Sequence, residues 1–365
     1  MYDVLIIGGG LIGMLTAREL AAAGAHVAVV ERSQTGREAS WAGGGILSPL
    51  YPWRFADPVT ALAGWSQPRW QALAEALAEE SGVDPEWTPS GLLVLDTEER
   101  ETALAWAARV GANLQTVPAG EALGLEPRLS RIELDADHGA LWLAEVAQVR
   151  NSRLVRAVRG SLDRRGIEVL EHCEVTGLAV REGRVRGVAT TAGMLEAPKV
   201  LVASGAWSAR LLSAVGVKLA VEPVRGQMLL FRGPPGLVER IVLSRERYVI
   251  PRRDGRVLVG STLEYVGFDK STTEDARGAL YKEALRLIPA LADCELEHQW
   301  AGLRPGSPTG VPFIGPHPTV QGLYVNAGHF RNGVVLGPAS ARLAADLCLE
   351  RAPILDPAPY SIVSD

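Results

Sequence analysis

The opening stretch of the chain, from Tyr2 to Glu31, constrains what it can fold into more than any other. VLII is an apolar run of strand length, and glycines follow it at once. A helical pattern then runs from Leu11 to Ala23 and stops at Gly24, after which AHVAVV reads as a second buried strand closing on Glu31. Gly8, Gly10 and Gly13 therefore stand as GxGxxG between a strand and a helix, with an acid at the tip of the next strand. Gly8 permits a tight turn, Gly10 lets backbone approach a pyrophosphate, and Gly13 permits close helix packing. The helix N-terminus would face the anion, and Glu31 would accept hydrogen bonds from ribose hydroxyls. The pattern predicts a βαβ unit that binds a dinucleotide.

Length and composition narrow the rest. At 365 residues the chain should form two domains, or one domain with a large insertion. Its 47% hydrophobic and 22% charged residues are those of an ordinary soluble globular protein. A net charge of -5 offers no basic face for nucleic acid. Cys173, Cys294 and Cys348 form no CxxC pair and have no histidines at metal-ligand spacing, so reduced thiols in a cytoplasmic protein are expected, without disulfides or metal. The chain passes from Met1 straight into the first strand pattern, so no export signal is expected, and no apolar run is long enough to span a bilayer.

Further along, Trp41 to Trp65 is rich in Gly, Pro and Trp and reads as an irregular segment packed on a ligand or domain. Helices are expected over Pro68 to Ser81 and Thr97 to Val110, with GLLVLD as a strand between them. A helix from about Val149 to Gly166 precedes a strand, IEVLEHCEV, then a hairpin of VTGLAV and RVRGVATT, and APKVLVASGAW returns to a buried strand. Long strand patterns between Val221 and Gly260, with a turn signal at Asp254-Gly255, predict an antiparallel sheet. A helix from Thr273 to Ile288 follows, then GLYVNAG, a glycine-rich loop and a last helix from about Pro338 to Glu350. After Glu31 the expected βαβ repeats of an NAD dehydrogenase are interrupted by Gly43, Gly44 and Gly45, where backbone without Cβ atoms could lie against a flat ring system.

Several blocks carry a wider resemblance: IIGGGLIG, the strand end at Glu31, VLVASGAWS, PVRGQ, WAGLRPGSPTGVPFIG and AGHFRNGVVLGPAS. Together they resemble the D-amino acid oxidase superfamily, in particular its glycine-oxidising branch of the thiamine pathway. The likeness covers most of the chain and is looser between about Arg54 and Glu145. It implies an α/β fold: a Rossmann-like FAD-binding domain of the glutathione-reductase type, discontinuous over 1–85, 142–220 and 301–365. An inserted α+β substrate domain on an antiparallel sheet would take 86–141 and 221–300. By position, Leu11, Ile12, Glu31, Arg32, Ala39 and Ser40 would contact FAD. So would Gly44, Gly45, Ile46 and Val175, and the run His329, Phe330, Arg331, Asn332, Gly333, Val334 and Val335. Amides of the Arg331–Gly333 turn could stabilise negative charge on the flavin. Relatives that attach flavin covalently use a cysteine after the arginine segment, and RPGSPTGVPFIGPHP has none, so FAD is expected to be non-covalent.

A guanidinium is the group best shaped to grip an amino acid's carboxylate. Arg304 is the leading candidate, in GLRPGSP between Trp300 and Phe313. The resemblance adds Tyr248, whose hydroxyl would meet the carboxylate, and Arg331, which would fix the amine side through its carbonyl or assist the carboxylate. It implies oxidative deamination of glycine, sarcosine, D-alanine or D-proline by hydride transfer to flavin. The products would be a 2-oxo acid, ammonia or an amine, and hydrogen peroxide. No catalytic base is required. A D-amino acid dehydrogenase passing electrons to a quinone-type acceptor is the alternative, and a non-catalytic flavin-binding protein ranks below both. A homo-oligomer is compatible with the sequence.

Overall fold

The computed structural model describes residues 1–134 and 139–362. Three sheets organise them. The first contains β1 (Val4–Ile7), β2 (Val27–Val30), β6 (Glu168–Leu170), β10 (Lys199–Val202), β16 (Phe313–Pro316) and β17 (Leu323–Ala327), in the order β16-β17-β10-β1-β2-β6. All its pairings are parallel except β16 with β17. β1 and β2 are buried throughout, which is why they read as unbroken apolar runs rather than alternating ones.

Helix α1 (Leu11–Ala22) crosses from β1 to β2. Its approach depends on Gly13, where an added Cβ would lie 2.0 Å from the Gly8 carbonyl oxygen. Gly8 has φ +113°, and a side chain there would meet the Ala203 carbonyl at the end of β10 at 2.5 Å. Both positions thus exclude a side chain for separate reasons, one conformational and one steric. The helices Asn151–Arg164 and Gly337–Cys348 share a core with α1 that includes Met14, Leu20, Leu154, Val158 and Leu343.

The second sheet has eight strands: β3 (Leu92–Val94), β4 (Gln115–Val117), β5 (Ala140–Leu143), β11 (Glu222–Arg232), β12 (Ile241–Ser244), β13 (Arg247–Pro251), β14 (Arg256–Gly260) and β15 (Glu295–Gly306). Their order is β15-β11-β14-β13-β12-β3-β5-β4, antiparallel except between β12 and β3. The helix Glu274–Leu287 covers one face through Leu280, Ala284 and Leu287, and Thr273 caps it by accepting the Ala276 N–H. A third sheet, β7 (Val175–Arg181), β8 (Arg184–Thr190) and β9 (Gly193–Glu196), forms a meander between β6 and β10.

Two expectations change. Trp41 to Trp65 is not irregular throughout, because Asp57–Ser66 is a helix that buries Val59, Leu62, Ala63 and Ser66. Its Pro58 lies in the first turn, where the missing N–H costs nothing, and Gly64 tolerates helical backbone once packing is supplied. The run IEVLEHCEV is two elements: β6 ends at Leu170, and β7 begins at Val175 after His172 takes a left-handed backbone, φ 54°.

Candidate functional site

The carboxyl ends of parallel strands, where the strand order turns around, are where open α/β sheets take their ligands. Here β1 ends between β2 and β10, and a cavity of about 630 Å³ opens over all three ends. That volume lies in the range of ligand and cofactor sites, roughly 300–1,000 Å³. At one end its wall carries Gly8, Gly10, Leu11, Ile12, Glu31 and Arg32. A Cβ on Gly10 would meet only the Ser40 hydroxyl, at 3.3 Å, so the backbone there faces open space. Gly10 also caps α1 without a side-chain acceptor, and the Leu11 N–H donates to Ser40 Oγ at 2.9 Å. Glu31 accepts from the Gly9 N–H at 2.8 Å and the Ser33 N–H at 3.0 Å, which fixes its carboxylate at the tip of β2. Arg32 lies over the Trp207 ring, 3.9 Å from its centroid, and both border the cavity.

The middle of the cavity is bounded by Ala39, Ser40, Gly44, Gly45 and Ile46, with Val175 nearby. The two glycines are needed for a reason the sequence does not reveal. At Gly45, φ +79°, a Cβ would stand 2.0 Å from the Val149 carbonyl, and at Gly44 it would stand 2.8 Å from the Ile250 side chain. Arg252 holds this loop down: buried, it donates to the carbonyls of Gly44 at 2.8 Å and Val149 at 3.0 Å, and to Gln148 Oε1 at 2.5 Å. Burial pulls its pKa down to about 10.

At the other end stand Tyr248 and Arg304. The Arg304 guanidinium lies flat on Gly226, where an added Cβ would be 2.1 Å from Nη1 and 2.4 Å from Cζ. It donates to Ser261 Oγ at 2.5 Å and to the Thr262 carbonyl at 3.2 Å. Burial lowers its pKa, opposed by Tyr248 and assisted by Arg331. These two neutral oxygens leave the charge uncompensated, a costly state without a ligand anion. The Tyr248 ring packs where a Cβ of Gly260 would sit, 2.8 Å away, and its hydroxyl points past Met228 Sδ at 3.9 Å. Arg331 also borders the cavity, but its guanidinium is in an ion pair with Glu246 at 2.5 Å.

Of the expected contact residues, Gly13, Asn332 and Val335 lie off the wall and the others line it. Gly13 acts through helix packing, and Asn332 receives the Leu336 N–H. His329 is buried, and burial pushes it down to about 3. Sequence reading missed Arg252, Gly226, Gly260, Ser261 and Trp207. Trp207 and Gly226 carried a signal, since VLVASGAWS and PVRGQ are among the blocks of the resemblance.

A dinucleotide suits this cavity on structural grounds. Gly10 offers a backbone cradle at a helix N-terminus, Glu31 is fixed at the tip of β2, and two buried polar atoms on the wall, Asn326 Oδ1 and His329 Nε2, lack partners among the described residues. The fold and site are those of a flavin-dependent oxidoreductase, and residues 3–347 match the model of the FAD dependent oxidoreductase (DAO) family, to which the chain belongs. It is an enzyme that uses FAD.

Particular relatives narrow the class. The chain is 50% identical to a glycine oxidase of Pseudomonas aeruginosa, covering 98% of each. The crystal structure of glycine oxidase from Geobacillus kaustophilus superposes with a TM-score of 0.93 at 34% identity, over 100% of this chain and 99% of that one. A bifunctional protein ThiO/ThiG of Synechocystis is 33% identical over 96% of this chain, which spans 52% of that protein.

Proposed function

We propose that the chain oxidises glycine and other small amines or D-amino acids, among them sarcosine, D-alanine and D-proline. The products are a 2-oxo acid, ammonia or an amine and, with oxygen as acceptor, hydrogen peroxide. The observation that carries this reading is the Arg304 guanidinium, laid on Gly226 beside Tyr248 in the same cavity that begins at Gly10 and Glu31. The high likeness to glycine oxidases over the full chain supports it. The resemblance to the thiamine-pathway branch and to ThiO/ThiG supports a role there.

FAD, when bound, supplies the hydride acceptor. Gly8, Gly10, Leu11, Ile12, Glu31, Arg32, Ala39 and Ser40 hold its adenosine and pyrophosphate portion in this reading, with Val175. Gly44, Gly45 and Ile46, with His329, Phe330, Arg331, Gly333 and Val334 of the His329–Val335 turn, would hold the ring portion. Arg304 grips the substrate carboxylate with two parallel donors, and the Tyr248 hydroxyl donates to the same group. That grip turns the α-carbon toward the ring, so that orientation, more than a covalent partner, lowers the barrier. Burial makes His329 a weak base, and in this reading no side chain takes the ammonium proton, which leaves to solvent.

We divide the chain at 85/86, 141/142, 220/221 and 300/301 into the FAD-binding and substrate domains. The two large sheets support this division except at 141/142 and 300/301, where β5 and β15 of the eight-stranded sheet run across the boundary. No helix among the described residues is long and apolar enough to cross a membrane, and a cytoplasmic enzyme fits. Anaerobic titration of the yellow holoenzyme with glycine, sarcosine, D-alanine and D-proline should bleach the flavin. A spectrum unmoved by all four would sink the reading. Stopped-flow mixing of the bleached enzyme with aerated buffer should restore colour within seconds, and failure to do so would replace oxygen by a quinone-type acceptor.

A further inference from the structure

The turn between β12 and β13 carries a charge arrangement the reaction does not require. Arg245 and Glu246 both have left-handed backbone, φ 48° and 63°, in a two-residue hairpin turn that glycine or asparagine normally fills. The turn is fastened from outside. Asp96 accepts the Arg245 N–H at 2.8 Å, and the Tyr51 hydroxyl accepts the Glu246 N–H at 3.2 Å. Glu246 lies two residues before Tyr248, in the turn that opens β13. Its carboxylate is shared between two guanidinium groups, Arg331 Nη1 at 2.5 Å and Arg54 Nη1 at 2.5 Å. Arg54 is in turn stacked on Tyr51, 3.8 Å from the ring centroid, and bonded to Glu99 at 2.8 Å.

Stability does not explain this, because the Glu246 side chain is 40% exposed in both pairs and ion pairs to a carboxylate open to solvent contribute little. The consequence is electrostatic. Arg331 borders the cavity within reach of the charge on Arg304, so without Glu246 the substrate end would present two uncompensated guanidinium groups. We propose that Glu246 is a specificity-determining residue that neutralises Arg331 and confines the site to substrates with one carboxylate. This rests on the reading of Arg304 as the carboxylate anchor. A substrate with a second carboxylate, such as iminodiacetate, is excluded because the cation that would receive it is already occupied, and its approach brings two anions together.

The test uses FAD-loaded enzyme and two ligands without an amine, acetate and malonate, whose dissociation constants are read from the flavin spectrum. In Glu246→Gln the affinity for malonate relative to acetate should rise about tenfold. The ratio of kcat/KM for iminodiacetate over glycine should rise with it. Adding Arg331→Met to that variant should abolish both gains. Should Glu246→Gln fail to hold flavin, Arg331→Met alone decides. A relative malonate affinity within about threefold of the parent supports the inference, and a larger fall would mean that Arg331 already receives a second carboxylate and would overturn it. Acetate bound with an unmoved ratio in Glu246→Gln overturns this inference alone. Acetate that never perturbs the parent enzyme overturns the carboxylate anchor and this inference together.

Discussion

Arg304 and Gly226 show how a single residue and its neighbour share one task. The arginine is legible in the sequence because a guanidinium is the group best shaped to grip a carboxylate, and because WAGLRPG carries a family pattern. The glycine's role is not, since it depends on the antiparallel register of β11 against β15, which pairs Gly226 with Gly302 and Val224 with Arg304. Two predictions belong here. Arg304→Ala should raise KM for glycine at least a hundredfold while FAD stays bound, since a charge-assisted bidentate contact contributes about 3 kcal/mol; steady-state kinetics at matched flavin content check it. Gly226→Ala places a methyl 2.1 Å from Nη1 and should displace the guanidinium. We expect KM to rise with little change in the unfolding midpoint, and an unchanged KM would detach the glycine from the arginine.

Among the elements, β1, α1 and β2 follow from the sequence almost as they stand, because period, glycine spacing and terminal acid all agree there. The helix Asp57–Ser66 was hidden by Pro58, Gly64 and Trp65, each a weak local signal that tertiary packing overrides. The Gly43–Gly45 loop was seen, but its reason was not. Its glycines clear room for Val149, Asn151 and Ile250, and Arg252 ties its carbonyl to the second sheet. Such a contact joins residues 208 positions apart and leaves no trace in local pattern. Arg252→Met should therefore leave the Gly44, Gln148 and Val149 acceptors without their donor, costing about 2 kcal/mol or more. Both the urea midpoint and flavin retention on gel filtration should fall, and retention equal to the parent would show that the loop is held by other means.

At the scale of the whole molecule, the buried wall of the cavity links acidity to stability. His329 is pushed down to about 3 by burial alone, against an ordinary value of 6.5. The unfolded chain therefore binds a proton that the folded chain refuses between those two values, so this stabilisation is complete above pH 6.5 and is lost as pH falls toward 3. Each unit within that window costs about 1.4 kcal/mol. Acids held low by arginines act further down: Glu80, Asp254 and Glu297 are each drawn to about 2, and they release their stabilisation only below the ordinary carboxylate range. Between pH 6.5 and pH 5 the buried histidines should dominate the slope, with His317, also lowered by burial, adding to it and Glu126, raised by burial, opposing it. Urea unfolding of holoenzyme at pH 7, 6 and 5 should show roughly 2 kcal/mol lost over this span. His329→Asn should remove most of that slope whatever it does to the absolute midpoint, because asparagine does not titrate. A variant whose stability falls with acid as steeply as the parent's would mean that groups other than His329 set the slope, and that burial of this ring does not link acidity to stability.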